Sequence, residues 1–153
     1  MLKNLWEMIP RMIEGTPHAR ILGLKFVSVG KGRATLSLPY NPALVGDPKT
    51  KVMHGGAITT LLDQTTANAA LSGFEDLSAM VTLNLAINYM RAAKPGETII
   101  ATGHCYKATK HLAFVRGVAH DGDEDDPIAT AEVTFMRTGP RVGADGKPKA
   151  AGV

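Results

Sequence analysis

The chain has 153 residues, 44% of them hydrophobic and 20% charged, with a net charge of +3. That length fits one domain able to bury roughly two-thirds of its unfolded surface, and the composition is ordinary for a globular protein. The charge forms no basic stripe and aromatic residues make up only 5% of the chain, which excludes nucleic-acid binding. The single cysteine, Cys105, excludes an internal disulfide and fits a cytoplasmic location.

Met1 to Glu14 reads as a short amphipathic helix, with Leu2, Leu5, Trp6, Ile9 and Ile13 among Lys3, Glu7 and Arg11, kinked at Pro10. It lacks the apolar centre of a signal peptide. No apolar run is long enough to span a bilayer, so no membrane insertion is expected. Residues 1–17 are thus an N-terminal helical segment, 18–138 the main domain, and 139–153 a tail rich in Gly, Pro, Ala and Lys, expected to be disordered. After a turn at Gly15-Thr16-Pro17, a second helix is expected around His18 to Leu22.

Leu24 to Val29 and Arg33 to Leu38 alternate as strands around a Gly30-Lys31-Gly32 hairpin turn, and Tyr40 to Val52 reads as a loop. Ala57 to Ser72 is the one long helix of the domain. Ile58, Leu61, Leu62, Thr65 and Ala69 form its packed stripe, and Asp63 stands on another face among Thr59, Thr60, Thr66, Ala67 and Ala70. Gly73 is expected to cap its C-terminus. Val81 to Met90 alternates, with Val81, Leu83, Leu85, Ile87 and Tyr89 on one face and Thr82, Asn84, Ala86 and Asn88 on the other. Thr98 to Ala108, His111 to His120 and Ile128 to Arg137 complete the strands. Two strands, one helix and four strands make an α+β fold, an antiparallel sheet of about six strands covering one helix.

His54-Gly55-Gly56 and Asp63, nine positions after the histidine, carry the chemistry. From Gly55 to Phe74 the only ionisable side chain is Asp63, and a carboxylate inside an apolar segment needs compensation. Amides at a helix start lack intrahelical partners and carry partial positive charge, and glycine lets a ligand approach them closely. An anion-stabilising donor set therefore lies about two turns from a lone carboxylate.

From about residue 18 to residue 138 the chain resembles a hotdog-fold thioesterase, of the branch that holds the phenylacetate-degradation thioesterase and the small acyl-coenzyme A thioesterases. The resemblance rests on His54-Gly55-Gly56, Asp63, the small residues Ala67 and Ala70, and a strand ending Tyr89-Met90-Arg91 before the turn Lys94-Pro95-Gly96. It implies a sheet wrapped around the central helix and hydrolysis of acyl-CoA. It also implies a homodimer or homotetramer in which Asp63 of one chain faces the glycine turn of the next. Members of the branch commonly carry asparagine ahead of the His-Gly-Gly, where Asp47 is nearest here; a second carboxylate would act on Asp63 or cap a turn. Thr82 matches a hydroxyl or small residue at the start of the next strand.

Thioester hydrolysis needs an activated water or nucleophile and donors for the developing oxyanion. The resemblance assigns the donors to the Gly55 and Gly56 amides, and Asp63 acts as general base or by direct attack. His54 either orients the loop or the substrate carbonyl, or satisfies backbone at a turn. Arg91, Lys94, Lys107, Lys110 and Arg137 lie at strand ends and turns, each either a solvated charge or, for some, a contact for coenzyme A phosphates, with Arg91 taken as the candidate substrate contact. No metal or cofactor is implied: His104, Cys105 and His111 match no ligand spacing, Cys105 reads as core, and Asp121 to Asp126 reads as a solvated hairpin tip. Two other functions share the fold, a non-catalytic acyl-CoA binding module and a hydratase or dehydratase. Acyl specificity is not readable from residues alone.

Overall fold

The computed structural model describes residues 10, 13–139 and 147. Apart from Pro10, Ile13 and Glu14, the expected Met1 to Glu14 helix lies outside the described residues, as does the tail apart from Gly139 and Lys147. Residues 13–15 are helical, Ile13 joins the core, and a Glu14 carboxylate oxygen accepts from the Phe26 amide at 3.0 Å.

Helix α1 (Pro17–Leu22) starts at an N-cap, Thr16, with proline in its first turn, and ends at Gly23 with φ of 76°. Strands β1 (Lys25–Gly30) and β2 (Arg33–Leu38) form the expected hairpin. The segment expected as a loop instead contains a 3-10 turn (Pro42–Leu44) and a small ladder, β3 (Val45–Asp47) with β4 (Val52–Met53). Helix α2 (Gly55–Gly73) follows, then β5 (Met80–Tyr89), β6 (Ile99–Ala108), β7 (Leu112–His120) and β8 (Ala129–Arg137).

The six long strands form one antiparallel sheet in the order β1-β2-β6-β7-β8-β5. A row of small residues crosses it: Ala34 pairs with Gly103, Gly103 with Gly117, and Gly117 with Ala131. Helix α2 lies in this trough. A Cβ on Gly103 would stand 3.1 Å from both the Ala69 Cβ and the Thr65 carbonyl oxygen, and one on Gly117 only 2.8 Å from the Thr66 Cγ2. The strands thus omit side chains where the helix passes, and Leu61, Leu62, Thr65 and Ala69 are wholly buried, as the stripe predicts.

Four expectations are corrected. Thr66 and Ala70, placed with Asp63 on a small-residue face, are wholly buried; the Thr66 hydroxyl is satisfied by the Leu62 carbonyl at 2.7 Å. Gly73 ends the helix without left-handed backbone, and its missing Cβ makes room for Cys105, whose Sγ would be 2.8 Å away. The β5 alternation breaks at a bulge between Thr82 and Asn84. Thr82, Leu85 and Ile87 therefore pair with the buried Phe135, Val133 and Ala131 and share the helix-facing side, while Val81 and Leu83 are exposed. The tip from Asp121 is also more than a solvated hairpin: the Asp121 side chain is fully buried.

Candidate active site

The site is built at the start of α2. His54 is the N-cap, with extended backbone, and its Nδ1 accepts the Gly56 amide at 2.9 Å. Its own amide donates to the Leu44 carbonyl at 2.7 Å, and its ring and Cα pack so closely on Gly46 that a Cβ there would lie 3.0 Å from the His54 Cα. The short β3–β4 ladder, absent from the sequence reading, is what holds His54 in place. Since an amide N–H only donates, Nδ1 is an acceptor and the proton of the neutral ring sits on Nε2.

This arrangement changes the expected donor set. The Gly56 amide is already given to His54, whereas the Gly55 amide makes no hydrogen bond among the described residues. Beside them opens a cavity of about 400 Å³, with Leu22, Leu44, Val45 and Ala57 on its apolar wall and His54, Gly56 and Thr60 among its polar lining.

Asp63 lies two turns further along α2, eight residues from Gly55, which at 1.5 Å per residue is about 12 Å. Its Oδ1 accepts from the Thr82 hydroxyl at 3.0 Å. The bulge at Leu83 is what turns Thr82 toward it, so the carboxylate is oriented.

Two further expected residues are engaged by other partners. Asp47 caps the β3–β4 turn, with Oδ1 accepting the Lys49 amide at 2.9 Å and Oδ2 the Thr50 hydroxyl at 2.8 Å. The hydrogen bond from the Lys49 amide, then that from the Thr50 hydroxyl, holds its carboxyl below the usual range. Arg91 is clamped between Asp121, at 2.7 and 3.0 Å, and the Asp126 carboxylate at 3.1 Å, with further bonds to the carbonyls of Ala92 and Asp126. That bidentate pair raises the Arg91 guanidinium well above its ordinary value. With its donors so committed, Arg91 ties the Lys94-Pro95-Gly96 turn region to the β7–β8 tip and has little left for a phosphate. Among the described residues no group of three or more His, Cys, Asp or Glu could hold a metal ion, and no helix is long and apolar enough to cross a membrane.

Sequence reasoning missed Tyr89 and Thr59. The Tyr89 hydroxyl donates to the Gly55 carbonyl at 2.7 Å and lies 2.6 Å from the Thr59 hydroxyl, itself 3.1 Å from the same carbonyl. The signals were the position of Thr59, one turn after Gly55, and the place of Tyr89 in the strand end Tyr89-Met90-Arg91.

An antiparallel sheet with one long helix in its trough is the architecture of the hotdog-fold thioesterases. The model of the Thioesterase superfamily matches residues 50–128. The medium/long-chain acyl-CoA thioesterase YigI of Escherichia coli K12 is 30% identical over 148 residues, covering 88% of this chain and 92% of that one. Human acyl-coenzyme A thioesterase 13 is 32% identical over 115 residues, covering 74% and 80%. The fold matches that of E. coli PaaI, from the phenylacetic acid degradation operon, with a TM-score of 0.77 at 22% identity over 88% of this chain and 93% of that one. The chain belongs to the thioesterase superfamily, and as such is a thioester hydrolase.

Proposed function

We propose that the chain hydrolyses acyl-CoA thioesters to the free acid and coenzyme A, at a site shared between two chains of a homodimer or of a homotetramer built from such pairs. One observation carries the reading: Asp63 is the only carboxylate of α2, is oriented by Thr82, and lies on the same helix as the open Gly55 amide. Their separation of about 12 Å is too large for both to act on one carbonyl within a chain, whereas two helices side by side in opposite directions bring each carboxylate to the other's glycine turn. The exposed edge of β5, with Val81 and Leu83, is the surface such a pair would cover.

In this reading Asp63 takes a proton from water as it attacks the thioester carbonyl, or attacks directly to give a mixed anhydride that water then opens. The developing oxyanion is met by the Gly55 amide and by the Nε2–H of His54, not by the Gly56 amide. The carbon–sulfur bond breaks with the thiolate leaving, which needs no strong acid. The apolar wall beside His54 and the names of the E. coli and human relatives support acyl chains as the substrate class.

The test is thiol release from short-, medium- and long-chain acyl-CoA and from aryl-CoA, by the wild type and Asp63→Asn. Asp63→Asn keeps the shape of the side chain, and turnover is expected to fall roughly 10²–10⁴-fold. A folded variant with wild-type turnover would remove Asp63 from the chemistry.

A further inference from the structure

Tyr89 is the last residue of edge strand β5, yet its hydroxyl lies over the first turn of α2. It has a single proton, and that proton goes to the Gly55 carbonyl at 2.7 Å. The Thr59 hydroxyl, 2.6 Å from the Tyr89 oxygen and 3.1 Å from the same carbonyl, closes a triangle of contacts in which Tyr89 makes the shorter bond to Gly55. The Gly55 carbonyl belongs to the same peptide unit as the Gly56 amide, and that amide is the donor to His54 Nδ1 at 2.9 Å. A donor on a carbonyl polarises the peptide and strengthens its N–H.

We propose that Tyr89 is a positioning residue for thioester hydrolysis: through the Gly55–Gly56 peptide it fixes His54 in the Nε2–H form and holds the helix start in the plane that meets the thioester carbonyl. The inference rests on the role given above to His54 and Gly55. Its place is specific, because the bulge at Leu83 sets which side of β5 faces the helix, for Thr82 toward Asp63 and for Tyr89 toward Gly55. One strand thereby holds both halves of the machinery at the two ends of a two-turn stretch of helix.

Tyr89→Phe removes the hydroxyl and keeps the ring, which a Cβ on Gly55 would meet at an ordinary 3.5 Å. Turnover of a medium-chain acyl-CoA is expected to fall about tenfold, the worth of one net hydrogen bond, with KM changed by less than about twofold. In ¹⁵N spectra of the imidazoles, the signals of His54, identified by their loss in His54→Ala, should move from separate Nδ1 and Nε2–H values toward their average. The tenfold loss should vanish in the His54→Ala background, since the two act in series. Thr59→Val should give the same changes in smaller measure, and decides the matter if Tyr89→Phe does not fold. Wild-type turnover with unmoved imidazole signals, or an equal loss in the His54→Ala background, would overturn the proposal. Asp63→Asn in the same assay separates the two readings: if that variant stays active the Asp63 assignment falls, while the Tyr89 effect on His54 is scored on its own spectra.

Discussion

Thr82 and Asp63 meet across the gap between edge strand and central helix, the hydroxyl donating to the carboxylate at 3.0 Å. A hydrogen bond to a charged group is worth about 1.5–3 kcal/mol net, more than one between neutral groups. In the proposed reaction it fixes one oxygen of Asp63 and leaves the other for water or the thioester carbon.

Thr82→Val keeps the shape of the side chain and deletes that donor. If the bond orients Asp63 in the transition state, turnover falls about tenfold or more, by the energy just given, while Thr82→Ser stays near the wild type. Steady-state thiol release on both variants checks this. Equal rates for Val and Thr at position 82 would reduce Thr82 to a packing residue.

Much of the architecture was legible in the residues, because both periods are clean: α2 was placed within two residues of its ends, and the six long strands within one. What was not legible depends on contacts distant in sequence. One extra residue in β5 moved Thr82 to the face opposite the one that alternation assigns, and nothing local marks Leu83 as the bulge. Gly73 looked like a helix cap and is instead a point of contact with Cys105. At a strand end Arg91 reads as a phosphate contact, and nothing local marks Asp121, thirty residues later, as the holder of its guanidinium. The sequence marks His54-Gly55-Gly56 as a helix start, but which amide remains open there depends on the ring of His54.

The glycine trough makes a prediction about stability. Gly117→Ala would place its Cβ 2.8 Å from the Thr66 Cγ2 and 3.2 Å from the Leu62 Cδ2, both on a helix that cannot shift without disturbing the site. Overpacking of this kind costs about 1–3 kcal/mol, or about 2–4 °C in Tm for each kcal/mol in a domain of this size. Gly30→Ala, where nothing lies within 4 Å and φ is not positive, is the control and should stay within about 0.5 kcal/mol. Thermal melts in which both variants match the wild type would show that α2 does not press on β7.

The Arg91–Asp121 clamp predicts a pH dependence. The two-pronged bond from Arg91, then the Lys94 amide, lowers the Asp121 carboxyl to about 2, against an unfolded value of about 3.9. A carboxyl depressed on folding stabilises the protein fully above its unfolded value, and the contribution is lost as pH falls from about 4 toward 2. Asp121→Asn should therefore be less stable than the wild type at pH 7, by up to about 2–3 kcal/mol, the linkage worth of that shift, because Arg91 keeps the Asp126 carboxylate. The gap between the two should narrow between about pH 4 and pH 2. A gap that stays constant over that window would mean that Asp121 acts through shape and not charge.

The shared site makes the strongest demand. Gly56→Val would place a branched side chain against His54, whose Nδ1 would lie 3.0 Å from the new Cβ, so the variant displaces the imidazole and blocks the helix start together. Asp63→Asn damages only the carboxylate. If each site takes Asp63 from one chain and the glycine turn from its neighbour, a heterodimer of the two variants holds one site with both defects and one with neither. It should recover up to about half of wild-type turnover, although each variant alone is inactive. Co-expression with two affinity tags isolates the mixed pair, because chains of a large interface exchange slowly once folded. If each chain carries a complete site of its own, the purified heterodimer stays inactive, which would refute the shared-site model while leaving thioester hydrolysis in place.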